Sequence, residues 1–238
     1  MEAPGSASQI QSNNSSPSKV VSDTERALQQ RSDTKNQTDI QPAPQLHELL
    51  SEWTFWFVYT LSHREKKKLG KKARFNEYQL HEVFSFGTVE DFWKMYNNTY
   101  QISEIIPNTD YLLFKKGIRP EWEDPYNKQG GKWVVTLPIE EDMEEECNDA
   151  WQGLVLHMIG GLFEHQELIN GAIFSIREKH YRISLWCNDN NNIPKVKRIG
   201  NKFKDVCQLP EKFIFSYQLH QKALMHELDN EAFITLKD

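Results

Sequence analysis

The sequence predicts an α+β fold in which an antiparallel β-sheet carries helices on one face. Short aromatic and β-branched runs, which are typical of strands, alternate with segments of helical periodicity. Several strand-like runs are joined by hairpin-like links, which favour antiparallel pairing over the long crossovers of a parallel sheet. All 7 Trp, 8 Tyr and 13 Phe residues lie at or after Trp53, so the aromatic core belongs to one region of the 238-residue chain.

The first 46 residues predict a disordered tail and not a part of that core. Residues 1–46 are rich in Ser, Gln, Asn and Thr and contain no aromatic residue. Such a segment cannot bury enough apolar area to offset the entropy lost on ordering. It also lacks the features of a secretory signal, and no run of about 20 apolar residues predicts a membrane span. We therefore expect one folded domain over residues 47–238.

The predicted elements of this domain can be read along the chain. Trp53–Leu61 is aromatic and β-branched, as strands are, whereas the strongly basic His63–Arg74 predicts a mobile loop. Thr88 is a suitable N-cap with Asp91 at the capping-box position, and apolar residues follow at helical spacing, namely Val89, Phe92, Trp93 and Tyr96. Six acids in residues 140–146 predict a solvated turn or helix start. The other predicted elements are a strand at Lys132–Ile139, a helix at Trp151–Phe163, a hairpin of Gly171–Glu178 and Tyr181–Cys187, a helix at Ile193–Leu209 and a strand at Lys212–Leu219.

Composition and motifs exclude several classes of protein. A net charge of -6 is unsuited to coating nucleic acid by bulk charge, so any contact with nucleic acid requires a local site. The 3 cysteines form no C-x-x-C pair and favour reduced thiols in the cytosol or nucleus over a disulfide framework or a zinc site. The sequence has no nucleophile elbow, P-loop, dinucleotide-binding or zinc-protease motif. We therefore expect no enzyme activity, no metal and no cofactor.

One acidic loop bounded by prolines predicts a site for a flat ligand. Trp122 lies between Pro120 and Pro125, where a large ring would otherwise be exposed, and Glu123 follows it. An indole that stacks, next to a carboxylate that accepts hydrogen bonds, suits a purine base. The alternative is that Trp122 is a core residue, because tryptophan is usually well buried.

The predicted hairpin supplies a second tryptophan and several basic side chains. Arg182, Ser184 and Trp186 alternate along one strand and therefore share a face of the sheet. Arg177 and Lys179 lie on or just after the partner strand. Rings and a carboxylate for a base, with cations nearby for phosphates, together predict a nucleotide-end site. A purely structural role for Trp186 in the core is the alternative.

At these residues the sequence resembles the mRNA 5′ cap-binding translation initiation factor 4E family. The most specific block is Asp110–Trp133, which reads DYLLFKKGIRPEWEDPYNKQGGKW. The resemblance extends to HELLSEWTFWF, TVEDFW, Ile173–Trp186 and Phe213–His220, and so covers nearly all of residues 46–220. It implies a curved antiparallel sheet with three helices packed on the convex face and the cap bound in the concave face.

The resemblance also implies a role for each residue of the cap site. Trp122 would stack on the methylated guanine, Glu123 would accept its N1 and N2 hydrogens, and Trp186 would contact the N7-methyl group. The positions that would meet the phosphates are Arg177, Arg182 and Lys179. Because N7-methylation makes the base cationic, both the stacking and the hydrogen bonds to the carboxylate become stronger.

The loop that carries a second stacking tryptophan in well-known members of the family differs in this chain. Residues 71–78 read KKARFNEY and contain no Trp. We expect Phe75 to supply the second ring, with Tyr78 as the other candidate, and a plain loop or core role as the alternative. A smaller ring predicts weaker cap affinity, and this departure is similar to the family's divergent classes, some of which repress translation.

The resemblance implies a second site on the helix-covered side of the sheet. Family members present an apolar face there to a partner helix with a Tyr-x-x-x-x-Leu-apolar motif. The matching positions in this sequence are His47, Val89, Trp93 and Leu156. Glu48 replaces a usual Pro and Gly153 stands where an acid is expected, so we expect partner choice to differ. Trp93 as a plain core residue is the alternative.

The resemblance thus predicts a monomer that binds 7-methylguanosine-capped mRNA in the cytoplasm, with the nucleus as a second location. Through an initiation scaffold protein or a 4E-binding protein it would couple the cap to translation initiation. The alternatives are a cap-binding repressor that does not recruit the scaffold, and a partner-binding protein with weakened cap affinity. A cap-cleaving hydrolase is disfavoured, because the sequence has no acidic metal-binding signature on a helix.

Overall fold

Eight β-strands form the sheet in the computed structural model, which describes residues 45–61, 63–70, 79–140, 143–221 and 232–236. The strands are β1 (Glu48–Tyr59), β2 (Gln79–Thr88), β3 (Thr109–Lys115), β4 (Gly131–Pro138), β5 (Ile169–Ile176), β6 (His180–Cys187), β7 (Ser216–Leu219) and β8 (Ile234–Thr235). Their order is β2-β1-β3-β5-β6-β4-β7-β8, and neighbouring strands within the described residues pair antiparallel. The predicted antiparallel sheet is confirmed, although β2, β3 and β8 were not predicted and the last predicted strand is shorter than expected.

The described residues contain four α-helices, one more than predicted. They are α1 (His63–Leu69), α2 (Val89–Tyr96), α3 (Met143–Ile159) and α4 (Ile193–Cys207), with 3-10 turns at Ile102–Glu104 and Gln166–Leu168. The loop predicted at His63–Arg74 is therefore wrong for His63–Leu69, and residues 71–74 lie outside the described residues. Glu65 lies in the first turn of α1 and Lys66–Lys68 in the last, an order that the helix dipole favours. The hydroxyl of Tyr59 donates to both carboxylate oxygens of Glu65 at 2.8 Å and joins the helix to β1.

The ends of α2 and α3 follow from local chemistry. The Thr88 side chain accepts a hydrogen bond from the Asp91 backbone N–H at 3.2 Å, which confirms the predicted N-cap. Helix α3 begins inside the acidic run, where Glu144–Glu146 place negative charge in the first turn. After Ile159 the chain turns through Gly161, whose φ of 67° is the left-handed conformation that glycine adopts easily at a helix end.

The two faces of the sheet differ in what covers them. On one face, here called the helix face, strand residues pack with α2, α3 and α4 into a large buried cluster. The opposite face, here called the open face, has a smaller buried cluster of Trp56, Val58, Leu112, Phe114, Ile118 and Trp186. In β6 the alternation is clear, since Ile183 and Leu185 belong to the helix-face cluster whereas Arg182, Ser184 and Trp186 have the other parity. The predicted α+β architecture is thereby confirmed.

The thiols are buried and free of disulfide bonds. Burial raises the pKa of Cys147 and Cys187 to about 12 and also raises that of Cys207, so all three remain protonated at neutral pH. The described part of the chain contains no group of three or more His, Cys, Asp or Glu side chains placed to hold a metal ion. None of its helices is long and apolar enough to cross a membrane.

Candidate functional site

A cavity of about 610 Å³ opens on the open face of the sheet. It is lined by Pro120, Glu121, Trp122, Glu123, Lys132, Ile173 and Trp186, and is called the first cavity below. Three residues predicted from the sequence, Trp122, Glu123 and Trp186, therefore meet at one place. The alternative that Trp122 is a core residue is wrong, because its side chain is 37% exposed.

A buried amide network holds the loop that carries Trp122. The side-chain N–H₂ of Asn127 donates to the carbonyl oxygens of Arg119 and Glu121 at 2.9 and 2.8 Å. From β5, the Asn170 side chain donates to Asn127 Oδ1 and to the Tyr126 carbonyl, both at 2.8 Å. Asn127 and Asn170 are almost wholly buried, so these bonds are shielded from water. The network fixes the loop on the sheet before any ligand arrives.

The two carboxylates of the first cavity are in different electrostatic states. Glu121 receives two hydrogen bonds from the Arg119 guanidinium, at 2.9 and 3.1 Å, and this pair lowers the pKa of Glu121. Glu123 is exposed and has no hydrogen bond or ion pair to any other described residue. Glu123 therefore keeps its full acceptor capacity for a ligand, whereas Glu121 already uses two acceptor positions for Arg119.

The second indole ring of the first cavity is held between other rings. Trp186 is buried, with Phe114 edge-on at 5.4 Å and His220 at 4.2 Å between ring centroids. The Lys132 ammonium lies 5.8 Å from the centre of the same indole. Burial first, and then the charge of Lys132, lowers the pKa of His220 to about 3, so this imidazole is neutral at physiological pH. Trp186 thus offers a fixed surface to the cavity.

Lys132 is a site residue that the sequence reasoning missed. It lies opposite Trp186 in the β4–β6 pairing and lines the first cavity. Burial and the nearby Arg182 lower its pKa to about 8. The signal in the sequence was its place two residues after the glycine that ends the Trp122 loop, but only the strand register brings it beside Trp186. A lysine in this position can offer charge to a phosphate.

The predicted phosphate-binding residues are not equivalent. The guanidinium of Arg177 is ion-paired with the buried Asp110 at 2.8 Å and donates to the carbonyl oxygens of Thr109 and Ile176 at 3.3 and 2.9 Å. Arg182 makes no such bond with another described residue, and partial burial together with Arg177 lowers its pKa. Lys179 is exposed in the β5–β6 turn.

Two predicted residues cannot be placed. Phe75 and Tyr78, the candidates for the second stacking ring, lie outside the described residues. The identity of that ring stays a prediction.

On the helix side, three of the four predicted partner-site residues lie close together. The His47 ring nitrogen is 2.6 Å from a carboxylate oxygen of Glu90, and this contact lowers the pKa of Glu90 to about 2. The Val89 backbone N–H donates to the His47 carbonyl at 2.9 Å, which ties the start of α2 to the chain before β1. Trp93 is 36% exposed although Phe92 beside it is wholly buried, so Trp93 is not a plain core residue.

The fourth residue, Leu156, lies on α3 and is half-buried against the core. Gly153, one turn earlier, accounts for the missing acid in physical terms. A Cβ atom there would lie 3.2 Å from the Val206 carbonyl of α4, so the two helices approach too closely for a larger side chain without adjustment.

Comparisons with known proteins agree with this geometry. The family described as Eukaryotic initiation factor 4E matches residues 48–232. Factor 4E1 of Drosophila melanogaster is 38% identical over 184 residues, which are 77% of this chain and 66% of that protein. Factor 4E of Homo sapiens is 33% identical over 175 residues, which are 73% of this chain and 76% of that protein.

Solved structures share the fold. The eIF4E-3 protein of C. elegans, in complex with the 4E-binding protein Mextli, has a TM-score of 0.69 at 29% identity and covers 81% of this chain and 100% of that one. The eIF4E-3 protein of Ascaris suum, in complex with an m2,2,7G cap, has a TM-score of 0.68 at 29% identity and covers 81% of this chain and 99% of that one. This chain therefore belongs to the eukaryotic initiation factor 4E family, a family of cap-binding translation factors and not of enzymes.

Proposed function

We propose that this protein binds the 7-methylguanosine 5′ cap of mRNA in the first cavity and couples capped mRNA to translation initiation. One observation carries the proposal. Two indoles, Trp122 and Trp186, and the free carboxylate of Glu123 line the same cavity. The solved Ascaris suum relative is bound to a cap, which supports the same use of the fold here.

The chemistry of this cavity favours the methylated base. N7-methylation gives guanine a positive charge, and a cation over an indole gains roughly 0.5–2 kcal/mol. The same charge makes the N1 and N2 hydrogens better donors to Glu123, as in other charge-assisted hydrogen bonds. Unmethylated guanine lacks both contributions, so selectivity follows from the charge of the ligand. Phe75, or else Tyr78, is proposed to supply the second stacking ring.

The cations of the open face are suited to the phosphates of the cap. Lys132 and Arg182 have no ion pair with another described residue, so both can turn their charge toward a ligand. Arg177 is proposed to contribute through its remaining N–H groups while Asp110 holds it in place, with Lys179 as a more distant helper. Phosphate contacts of this kind weaken as salt is added.

The test is calorimetric titration of the full chain with m7GTP, with GTP as the unmethylated control. We expect a clear preference for m7GTP in the wild type and loss of most of it in Glu123→Gln. Glu121→Gln is the matched control, because it removes a carboxylate of the same cavity that Arg119 already occupies. Equal binding of the two nucleotides by the wild type, or equal losses in the two variants, would contradict the proposal.

A partner on the helix side is proposed to link the cap to translation. The half-exposed Trp93, together with Val89 and Leu156, offers apolar surface to a helix with a Tyr-x-x-x-x-Leu-apolar motif. The solved C. elegans relative is bound to a 4E-binding protein, which supports this use of the surface. We propose that the protein acts as a monomer in the cytoplasm, with the nucleus as a second location.

Peptide binding tests the partner site separately. We expect a Tyr-x-x-x-x-Leu peptide to bind the wild type and to bind Trp93→Ala at least tenfold more weakly, since exposed tryptophans are frequent hot spots. Tyr126→Ala is the control, because Tyr126 is 63% exposed on the loop of the first cavity. A protein that binds the cap but not a scaffold-derived peptide would be a repressor, and one that binds only the peptide would have lost cap affinity.

A further inference from the structure

A second cavity, of about 400 Å³, lies on the open face beside the first. Its lining includes Thr136 of β4, Arg182 of β6, Lys212 and Ile214 before β7, and Ser216 and Gln218 of β7. It contains two cations, three neutral hydrogen-bonding side chains and no acidic residue. None of the residues with an assigned role, apart from Arg182, belongs to it.

The strand register shows how the two cavities are related. Trp186, Lys132 and Gln218 lie opposite one another across β6, β4 and β7 and form one row. Arg182 and Thr136 form a parallel row four residues further along β6 and β4, roughly 13 Å away at about 3.3 Å per residue. The cavities adjoin at the first row, where Lys132 lines the first cavity and its neighbour Gln218 lines the second, and Arg182 lines only the second.

Charge favours one direction for a ligand that leaves the first cavity past Arg182. Toward β5 the row continues through Ser175 to Asp110, whose carboxylate is already paired with the Arg177 guanidinium. Toward β7 the lining of the second cavity contains the cation Lys212 and no carboxylate. A polyanion held at Arg182 thus meets an unpaired cation on the β7 side, whereas the cation on the β3 side is already paired with a carboxylate.

The side chains of the second cavity are available to a ligand. Arg182, Lys212 and the three neutral polar residues have no side-chain hydrogen bond or ion pair with another residue in the part of the chain that the structure describes. The Lys212 ammonium lies over the ring of Phe213, at 5.1 Å from its centre, which holds the charge near the cavity. Ile214 is 65% exposed and adds an apolar surface beside the cations.

We infer that the second cavity binds the nucleotide that follows the cap in mRNA, with its phosphodiester between Arg182 and Lys212. Thr136, Ser216 and Gln218 then face its ribose and base with donors and acceptors, and Ile214 gives the base an apolar contact. Ribose hydroxyls and unstacked bases are what proteins read in single-stranded RNA. The inference rests on the proposed cap binding and extends it to the chemical class of capped oligoribonucleotides.

The experiment compares the dinucleotide m7GpppG with an m7G-capped RNA pentanucleotide that begins with the same guanosine, by titration of the full chain, because both ligands have the same bridged triphosphate. In the wild type we expect the pentanucleotide to bind about five- to tenfold more tightly, as one added charged contact provides. In Lys212→Ala this ratio should fall to about one, and the slope of log affinity against log salt for the pentanucleotide should decrease by about one. Lys94→Ala, which removes an exposed lysine on α2, is the matched control and should keep the wild-type ratio.

The outcomes separate this inference from the cap proposal. A wild type that binds m7GpppG but gains nothing from the added nucleotides would overturn the second cavity and leave cap binding intact. The same ratio in Lys212→Ala as in the wild type would also overturn it. Failure of the cap proposal has another signature, which is a wild type that does not bind m7GpppG at all.

Discussion

The helix face and the open face of the sheet are built from the same strands but have opposite chemistry. On the helix face the strand residues join α2, α3 and α4 in one large apolar cluster. On the open face the buried cluster has only six residues, and beside it lie two cavities lined by cations, a free carboxylate and indoles. Polar groups without protein partners are costly where water is excluded, so they lie on the face that stays open.

Strand β6 shows this difference between the two faces within residues 182–186. Ile183 and Leu185 stabilise the fold, whereas Arg182 and Trp186, their neighbours in sequence, line the cavities. Adjacent residues of this strand thus have different roles, because successive side chains point to opposite faces of the sheet. Substitutions on the helix face should change stability, and those on the open face should mainly change ligand affinity.

The largest effect is expected from Trp133→Ala on the helix face. Trp133 is wholly buried, its ring N–H donates to the Val196 carbonyl at 3.0 Å, and its ring contacts Tyr217. Truncation of such a residue costs about 3–5 kcal/mol. The free energy of unfolding in urea measures it. Thr136→Ala, on the open face of the same strand, is the control and should stay within about 0.5 kcal/mol of the wild type.

The second prediction compares two arginines near the open face. Arg177→Ala leaves the buried Asp110 carboxylate without its partner and should cost about 2–3 kcal/mol of stability, less than a fully buried pair because Arg177 is partly exposed. Arg182→Ala removes no ion pair and should leave urea stability nearly unchanged. Both variants should weaken m7GTP binding more than binding of the bare methylated nucleoside. Equal unfolding free energies for the two variants would contradict the structural role assigned to Arg177 alone.

The third prediction concerns the loop of the first cavity. Trp122→Ala should weaken m7GTP binding by about 1–3 kcal/mol, the usual loss for a base-stacking aromatic, with little change in unfolding free energy. Calorimetry and urea unfolding measure the two quantities on the same sample. Tyr126→Ala removes an exposed ring from the same loop and should leave the affinity unchanged. An unchanged dissociation constant in Trp122→Ala would mean that its ring does not stack on the ligand.

The features that could be predicted from the sequence are those set by local patterns. The N-cap that Thr88 provides for helix α2 could be predicted from the next few residues alone. That Arg182 and Trp186 share a face of the sheet follows from their spacing in the strand. The exposure of Trp122 follows from its acidic, proline-bounded loop. Each of these depends on a few consecutive residues, so the pattern and the structure agree.

The features that escaped prediction depend on register between distant strands. The ion pair between Asp110 and Arg177 joins residues that are 67 apart in the sequence, and no local pattern links them. Lys132 lies beside Trp186 only because β4 pairs with β6 in one particular register. The amide bond between Asn127 and Asn170 spans 43 residues in the same way. These contacts depend on how distant strands pair in the complete sheet, and the sequence of a single segment does not determine them.

The smallest effect is a pH dependence where the open face meets the core. His220 is buried under Trp186 and faces Lys132, and its pKa is lowered from 6.5 to about 3. Between these values the unfolded chain binds a proton that the folded protein does not, so stability is complete above pH 6.5 and falls as the pH decreases. At about pH 5.5 this single group should cost about 1.4 kcal/mol relative to pH 7.5.

The His220→Phe variant isolates the effect of the His220 imidazole, because its side chain keeps a ring against Trp186 but cannot titrate. Urea unfolding at pH 7.5 and 5.5 should show a loss of stability in the wild type that exceeds the loss in the variant by about 1.4 kcal/mol. Carboxylates and the other histidines titrate in both proteins, so they cancel in this difference. Parallel losses in the two proteins would mean that the imidazole is protonated in the folded state, and a cation would then lie directly behind the indole that faces the first cavity.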